Sequence, residues 1–151
     1  MQQRFETFTT LINRISRNIR KIKNQEMAQY DLRSGHISCL YYLYTQQGLT
    51  ATELCERCEE DKGTISRCID YLETNGYLYC QTQNAKRYKS PLYLTEKGLE
   101  AGQRISDKIH GVLDQISAGL TEEERLAFYR SLAIISDSLD AVCQNTKRKG
   151  S

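Results

Sequence analysis

The sequence predicts a mainly α-helical fold carrying one small β-hairpin, and three observations predict it. From residue 50 onward, capping signals recur ahead of apolar stripes of helical spacing. One stretch, residues 77–94, changes to the two-residue period of strands. Both ends of the 151-residue chain carry long apolar stripes with polar flanks, as do helices that pack on other helices.

At the N-terminus, Phe5, Phe8, Ile12, Ile15, Ile19 and Ile22 follow alternating steps of three and four, with Leu11 widening the stripe. Such an a/d seam wants another helix. Ile37, Leu40, Tyr41 and Tyr44 form a second helical stripe. Thr50 with Glu53 then makes an S/T-x-x-E capping box, and Leu54 supplies the inward contact of a short helix. Asp61 stands where a further helix needs an N-cap, and Gly76 closes that helix because the residue after it must usually take positive φ. Between those caps, Ile65, Ile69 and Leu72 share one side with Cys68, whereas Gly63, Ser66, Arg67, Asp70 and Thr74 fall opposite. Two short helices with a tight turn, the second turning hydrogen-bonding groups outward, read as a helix-turn-helix.

Residues 77–80 read as a strand, residues 81–90 as a polar, basic tip and residues 91–94 as the returning strand. The chain's only proline, Pro91, opens that second strand, where its missing N–H costs least. Thr95 caps a helix over roughly 96–118, expected to bury Leu99, Ile105, Ile109, Val112 and Ile116. A second capping box, Thr121 to Glu124, opens a last helix whose stripe includes Leu126, Tyr129, Leu132, Leu139 and Val142. The predicted architecture is therefore a winged helix-turn-helix with N- and C-terminal dimerisation helices.

The run from LT-x-x-EL through DKGTISRCIDYLETNGYL to the wing and LYLTEKG resembles the MarR family of winged-helix transcriptional regulators. The order of elements outside that run agrees. The family's wing commonly carries an Asp-x-Arg pattern several positions before the LT. Here those places hold Lys86 and Tyr88, and only Arg87 between them keeps the basic tip. The resemblance implies one domain over residues 1–146, with a DNA-binding head at about 32–95, dimerisation helices at 1–28 and 96–146, and a disordered basic tail at 147–151. It implies a homodimer that places two recognition helices about one DNA turn apart on a pseudo-palindromic operator of double-stranded DNA. Repression is the family's default. The resemblance also implies a small aromatic effector seated between the dimerisation helices and the head, which would draw on Ile15, Ile19, Tyr30, His36, Leu40, Tyr41 and Tyr44.

Residue chemistry names the expected DNA contacts. Ser66 and Arg67, with Thr64 and Lys62 near the helix N-terminus, suit base edges and adjacent phosphates, and Arg67 suits a bidentate contact to guanine. Lys86, Arg87 and Lys89 suit phosphates at the wing. A net charge of +2 is too small to establish nucleic-acid binding, so the weight falls on where charge sits. Cations gather at Arg14, Arg17, Arg20, Lys21 and Lys23, at the wing, and at Lys147, Arg148 and Lys149.

Other chemistries find less support. MQQRFETFTT is a polar start, and no apolar run approaches the ~20 residues that span a bilayer, so a cytoplasmic protein without membrane contact is expected. The six cysteines are expected to be reduced and partly buried. Cys55 and Cys58 form a C-x-x-C inside a predicted helix, without a second pair at zinc-ribbon spacing, so no metal and no cofactor is expected. A redox switch through Cys39, Cys55, Cys58, Cys68 or Cys80 is an alternative form of regulation, as is metal sensing by His36 with His110, a set that looks incomplete. No nucleophile elbow, P-loop or dinucleotide fingerprint is present, and an enzyme is not expected. A winged helix serving as a protein-binding adaptor is the remaining alternative, and salt-dependent DNA binding discriminates against it.

Overall fold

A computed structural model describes residues 2–82 and 86–149, in which seven α-helices and a two-stranded hairpin follow in the predicted order. The first helix, α1 (Gln2–Phe5), passes through a π-helical stretch, Glu6–Leu11, into α2 (Ile12–Glu26). A π turn holds more residues than an α turn, so it rotates Phe8 relative to the stripe of Ile12, Ile15 and Ile19. The regular seam read from the sequence is interrupted there.

Next come α3 (Ser34–Thr45), α4 (Ala51–Cys58) and α5 (Lys62–Thr74), which pack against one another. The capping box of α4 forms as predicted: the Glu53 N–H donates to Thr50 Oγ1 at 3.3 Å, and the Thr50 N–H donates to Glu53 Oε2 at 2.8 Å. The start of α3 uses a different device. The Arg33 N–H donates to His36 Nδ1 at 3.1 Å, and the Ser34 N–H donates to Asn24 Oδ1, from α2, at 2.7 Å. One of those caps is a histidine and the other comes from a distant helix, so no local Ser/Thr/Asp signal marked the boundary.

The wing consists of β1 (Leu78–Cys80) antiparallel to β2 (Leu92–Leu94), paired Leu78 to Leu94, Tyr79 to Tyr93 and Cys80 to Leu92. On its other edge β2 is held by the loop before α4: the Gly48 N–H donates to Leu92 O at 2.9 Å and the Leu92 N–H to Leu49 O at 3.0 Å. The chain then forms α6 (Glu96–Ser117) and α7 (Glu122–Lys149).

Two compact units result, Met1–Lys108 and Ile109–Ser151. The first has its core where α3, α4, α5 and the wing converge, with Ile37, Leu40, Leu54, Ile65, Leu72 and Leu92 almost wholly out of solvent. Each such side chain contributes ~1.5–3 kcal/mol relative to exposure. The base of α6 is fastened to the wing: the Thr95 hydroxyl donates to Gly76 O at 2.6 Å, and the Gly98 N–H donates to Thr95 Oγ1 at 3.1 Å. Gly98 comes so close that a Cβ would collide with the Tyr77 carbonyl oxygen. This corrects the predicted inner face of α6. Ile105 is buried as expected, but its neighbours on that side are Gly98, Gly102 and Ser106, while Leu99 and Ile116 are exposed. Large apolar residues misled the reading because close approach admits only small ones.

The second unit contains the end of α6, a turn in which the Leu120 N–H donates to Ser117 O at 3.0 Å, and α7. The predicted box forms, with the Thr121 N–H donating to Glu124 Oε2 at 2.8 Å and the Glu124 N–H to Thr121 Oγ1 at 3.2 Å. Along α7, Leu126, Tyr129, Leu132, Leu139 and Val142 are exposed. The helix continues to Lys149, so residues 147–149, expected in a disordered tail, are helical; Lys and Arg are strong helix formers and suit a C-terminal turn. Among the described residues no helix is long and apolar enough to cross a membrane.

Candidate nucleic-acid interface

The turn between α4 and α5 is made by Glu59, Glu60 and Asp61. Glu59 takes left-handed backbone geometry, φ 52°, and its N–H closes α4 on Cys55 O. Asp61 then opens α5: the Thr64 N–H donates to Asp61 Oδ1 at 2.8 Å and the Thr64 hydroxyl to Asp61 Oδ2 at 3.0 Å. Those bonds, the backbone one first, hold the Asp61 carboxyl below its ordinary pKa, so the cap stays ionised. Gly76 lies just past the helix end with φ 76°, as its position predicted.

Burial divides α5 as the spacing foretold. Ile65, Cys68, Ile69 and Leu72 are buried, whereas Lys62, Gly63, Ser66, Arg67, Asp70 and Thr74 are exposed. Thr64 is half-buried, and its hydroxyl receives a hydrogen bond from the Arg67 guanidinium at 3.2 Å. The cations of the outward face, Lys62 and Arg67, therefore belong to its N-terminal half.

A groove of about 310 Å³ between α4, α5 and the wing joins Lys62 and Ser66 to Tyr88. Lys86 and Lys89 are exposed on the wing, and Lys89 Nζ lies 5.9 Å from the Tyr88 ring centroid. The backbone of Arg87 belongs to a short 3-10 turn, Arg87–Lys89, but its side chain lies outside the described residues. In this turn the Lys89 N–H and the hydroxyl of fully buried Ser90 both donate to Lys86 O, at 2.9 and 3.4 Å. The Thr52 hydroxyl, from α4, donates to Tyr88 O at 3.4 Å.

Tyr71 is half-buried on α5. Its hydroxyl donates to Asp31 O at 2.9 Å, and its ring stacks on His36 with centroids 4.3 Å apart, docking α5 on the start of α3. Beside this stack is a cleft of about 620 Å³, walled by Arg20, Asn24, Arg33, His36, Arg67 and Tyr71 among others. Burial, then Arg33, lowers the His36 pKa, with Asp31 opposing.

Among the described residues, those expected around an effector have different surroundings. Of these, His36 lines the arginine-bearing cleft, and Tyr30 lines a separate one of about 200 Å³ with Lys97 and Arg104. Leu40 is wholly core, Ile15 and Ile19 are 53% and 48% exposed on α2, Tyr41 is half-buried edge-on to Tyr42, and the Tyr44 hydroxyl donates to Gln103. Of the α3 stripe, Ile37 and Leu40 face the core, while Tyr41 and Tyr44 are half-buried. Arg20, Arg33 and Asn24 gave no local signal, because only tertiary packing brings α2 and the α3 start beside α5. Among the described residues, no group of three or more His, Cys, Asp or Glu is placed to hold a metal ion.

A capped, polar-faced second helix beside a basic hairpin defines a winged helix-turn-helix DNA-binding protein. The comparison with known proteins places it further. A profile described as MarR family matches residues 30–87, the span from the start of α3 to the wing. The HTH-type transcriptional regulator YwoH of Bacillus subtilis is 28% identical over 117 residues, covering 78% of this chain and 85% of that one. YybA of the same organism is 26% identical over 114 residues, 76% of each. Among solved structures, a MarR family regulator from Silicibacter pomeroyi superposes with TM-score 0.73 at 26% identity, covering 83% and 84% of the two chains. NMB1585, a MarR family regulator from Neisseria meningitidis, gives 0.79 at 21% identity over 95% and 98%. The S. aureus MepR–DNA complex gives 0.77 at 22% identity over 87% and 97%. Over its winged-helix head the chain is thus similar to the MarR family of helix-turn-helix transcriptional regulators.

Proposed function

We propose that the protein is a cytoplasmic repressor that binds a pseudo-palindromic operator as a homodimer and is released by a small anionic effector. The observation that carries this reading is the exposed pair Ser66 and Arg67 on the capped N-terminal half of α5, next to exposed Lys86 and Lys89. In the proposed complex Arg67 reads guanine, Ser66 and Thr64 take neighbouring base edges or phosphates, and Lys62, Lys86, Arg87 and Lys89 take phosphates. MepR, a fold relative, has been solved on DNA.

Dimerisation is supported by apolar side chains left in solvent: Ile12, Ile15 and Ile19 on α2, and Leu126, Tyr129, Leu132 and Val142 on α7. Such stripes cover themselves against a second copy. In this reading residues 1–146 act as one MarR-like domain, with 32–95 as the head. Release is supported by the cleft in which Arg67 shares walls with Arg20 and Arg33. An aromatic carboxylate there would pair with the guanidinium groups, stack by Tyr71 and His36, and draw Arg67 from the operator.

Selection of bound duplexes from a random pool by the purified protein tests the proposal. It is expected to return an inverted repeat with half-sites about 10–10.5 base pairs apart, centre to centre. A single unrepeated half-site would contradict the dimer, and recovery of no motif would contradict sequence-specific reading.

A further inference from the structure

The outward stripe of α5 is Gly63, Arg67, Asp70 and Thr74, spaced at helical steps and set opposite buried Ile65, Ile69 and Leu72. Its first position has no side chain. Arg67 stands one turn further on, about 6 Å along the helix axis, and leans back toward the N-terminus as long helical side chains do. Its Nη2 donates to Thr64 Oγ1 at 3.2 Å. A Cβ built on Gly63 would lie 3.4 Å from Arg67 Nη1 and 3.2 Å from Asp61 Oδ1. The guanidinium therefore lies over the turn that Gly63 leaves bare, beside the carboxylate that caps the helix.

The direction of these bonds is set from Asp61. A threonine hydroxyl has one proton, and an arginine side chain has only donors. The Asp61 carboxylate takes that proton on Oδ2 at 3.0 Å, while its Oδ1 takes the Thr64 N–H at 2.8 Å. Thr64 Oγ1 is left with lone pairs alone, and Arg67 donates to one of them. Donation thus runs in one sense, from Arg67 to Thr64 to Asp61. Asp61 and Arg67 are both exposed, so solvent screens their direct attraction, and what the carboxylate supplies is orientation. An arginine already oriented when it meets a base loses less rotamer freedom on contact. Asparagine would cap the helix as well as aspartate does. Its amide N–H groups, however, would face the threonine oxygen, and the hydroxyl proton would lose its acceptor.

We propose that Asp61 is a positioning residue for DNA recognition: through the Thr64 hydroxyl it holds Arg67 across the bare turn at Gly63, aimed at a single base pair. The cap that starts α5 thereby also fixes what α5 reads. Phosphates repel the charge of Asp61 itself, so its contribution is to discrimination between sequences rather than to affinity for DNA as such. The seat of Arg67 belongs to the protein without DNA. Its effect on base preference rests on the DNA-reading role of α5 proposed above.

The test has two arms, both on the full-length protein. In the first, nitrogen NMR relaxation of the Arg67 Nε–H, assigned by its loss in Arg67→Ala, is measured without DNA. Its order parameter is expected above about 0.6 in the wild type and below it in Asp61→Asn and in Thr64→Val. A folded variant that keeps the wild-type value overturns the proposal, and either variant decides this where the other fails to fold. In the second arm, a random duplex library is enriched on the wild type, Asp61→Asn, Arg67→Ala and the double variant. At the base pair whose preference Arg67→Ala erases, Asp61→Asn is expected to lower that preference about fivefold, with other positions unchanged. In the Arg67→Ala background it should change nothing further. A loss spread over all positions, or an equal loss with and without Arg67, makes Asp61 a helix cap only and overturns the proposal. Should the wild type enrich no motif, or one indifferent to Arg67→Ala, while the first arm gives its expected result, the seat of Arg67 is supported and the DNA reading is the one that fails.

Discussion

Arg67 on α5 and Lys86 on the wing are both exposed cations, and the proposed complex gives them different work. Arg67 is steadied by Thr64 on a rigid helix, which suits it to one base edge, whereas exposed Lys86 on the wing is expected to meet only phosphate in the proposed complex. Arg67→Ala is expected to cost ~1–3 kcal/mol of operator binding and to relax preference at one base pair. Lys86→Ala should weaken all duplexes alike and flatten the salt dependence, both measurable by fluorescence anisotropy across a salt series. His36 makes a third residue-scale prediction. Its Nδ1 must be unprotonated to accept the Arg33 N–H, and its folded pKa lies below the ordinary histidine value of about 6.5. The folded state therefore binds fewer protons than the unfolded one. This contribution to stability is present above about pH 6.5 and is lost as pH falls through the folded value. Melting temperature should drop across that window, and His36→Gln should remove that part of the pH dependence.

At the scale of elements, the junction of the wing with α6 is the tightest joint in the head. Gly98→Ala places a methyl group against the Tyr77 carbonyl, and the strain is expected to cost ~1–3 kcal/mol, seen as a lowered urea midpoint. Leu72→Ala opens a cavity under α5 instead and should cost ~2–5 kcal/mol. The sequence disclosed elements that announce themselves locally. Thr50 with Glu53, Asp61, Gly76 and Thr121 with Glu124 each mark a boundary by a bond formed within four residues, and each marks it correctly. Elements set by tertiary approach were not legible. Gly98 and Gly102 line a buried face without an apolar signal, His36 and Asn24 cap α3 from unforeseen places, and the π-helical stretch keeps an ordinary-looking seam. The outward face of α5 was readable for the same local reason as its caps. The arginine cleft was not, because residues as far apart in sequence as Arg20 and Arg67 build it.

For the whole molecule, the exposed apolar stripes of α2 and α7 set the expectation of two copies. Val142 is 60% exposed and Ile15 53%, values out of keeping with a finished surface along so many consecutive turns. Ile15→Glu with Ile19→Glu is expected to give a folded monomer by sedimentation and circular dichroism. That monomer should lose the inverted-repeat operator while retaining weak binding to nonspecific duplex. The central claim is that two capped α5 helices, fixed one helical turn apart, read a two-fold duplex. The most direct measurement is enrichment of random duplex DNA on the purified dimer: this account predicts an inverted repeat that Arg67→Ala degrades at one position in each half. Enrichment of no motif at low salt, where charge attraction is strongest, would contradict it.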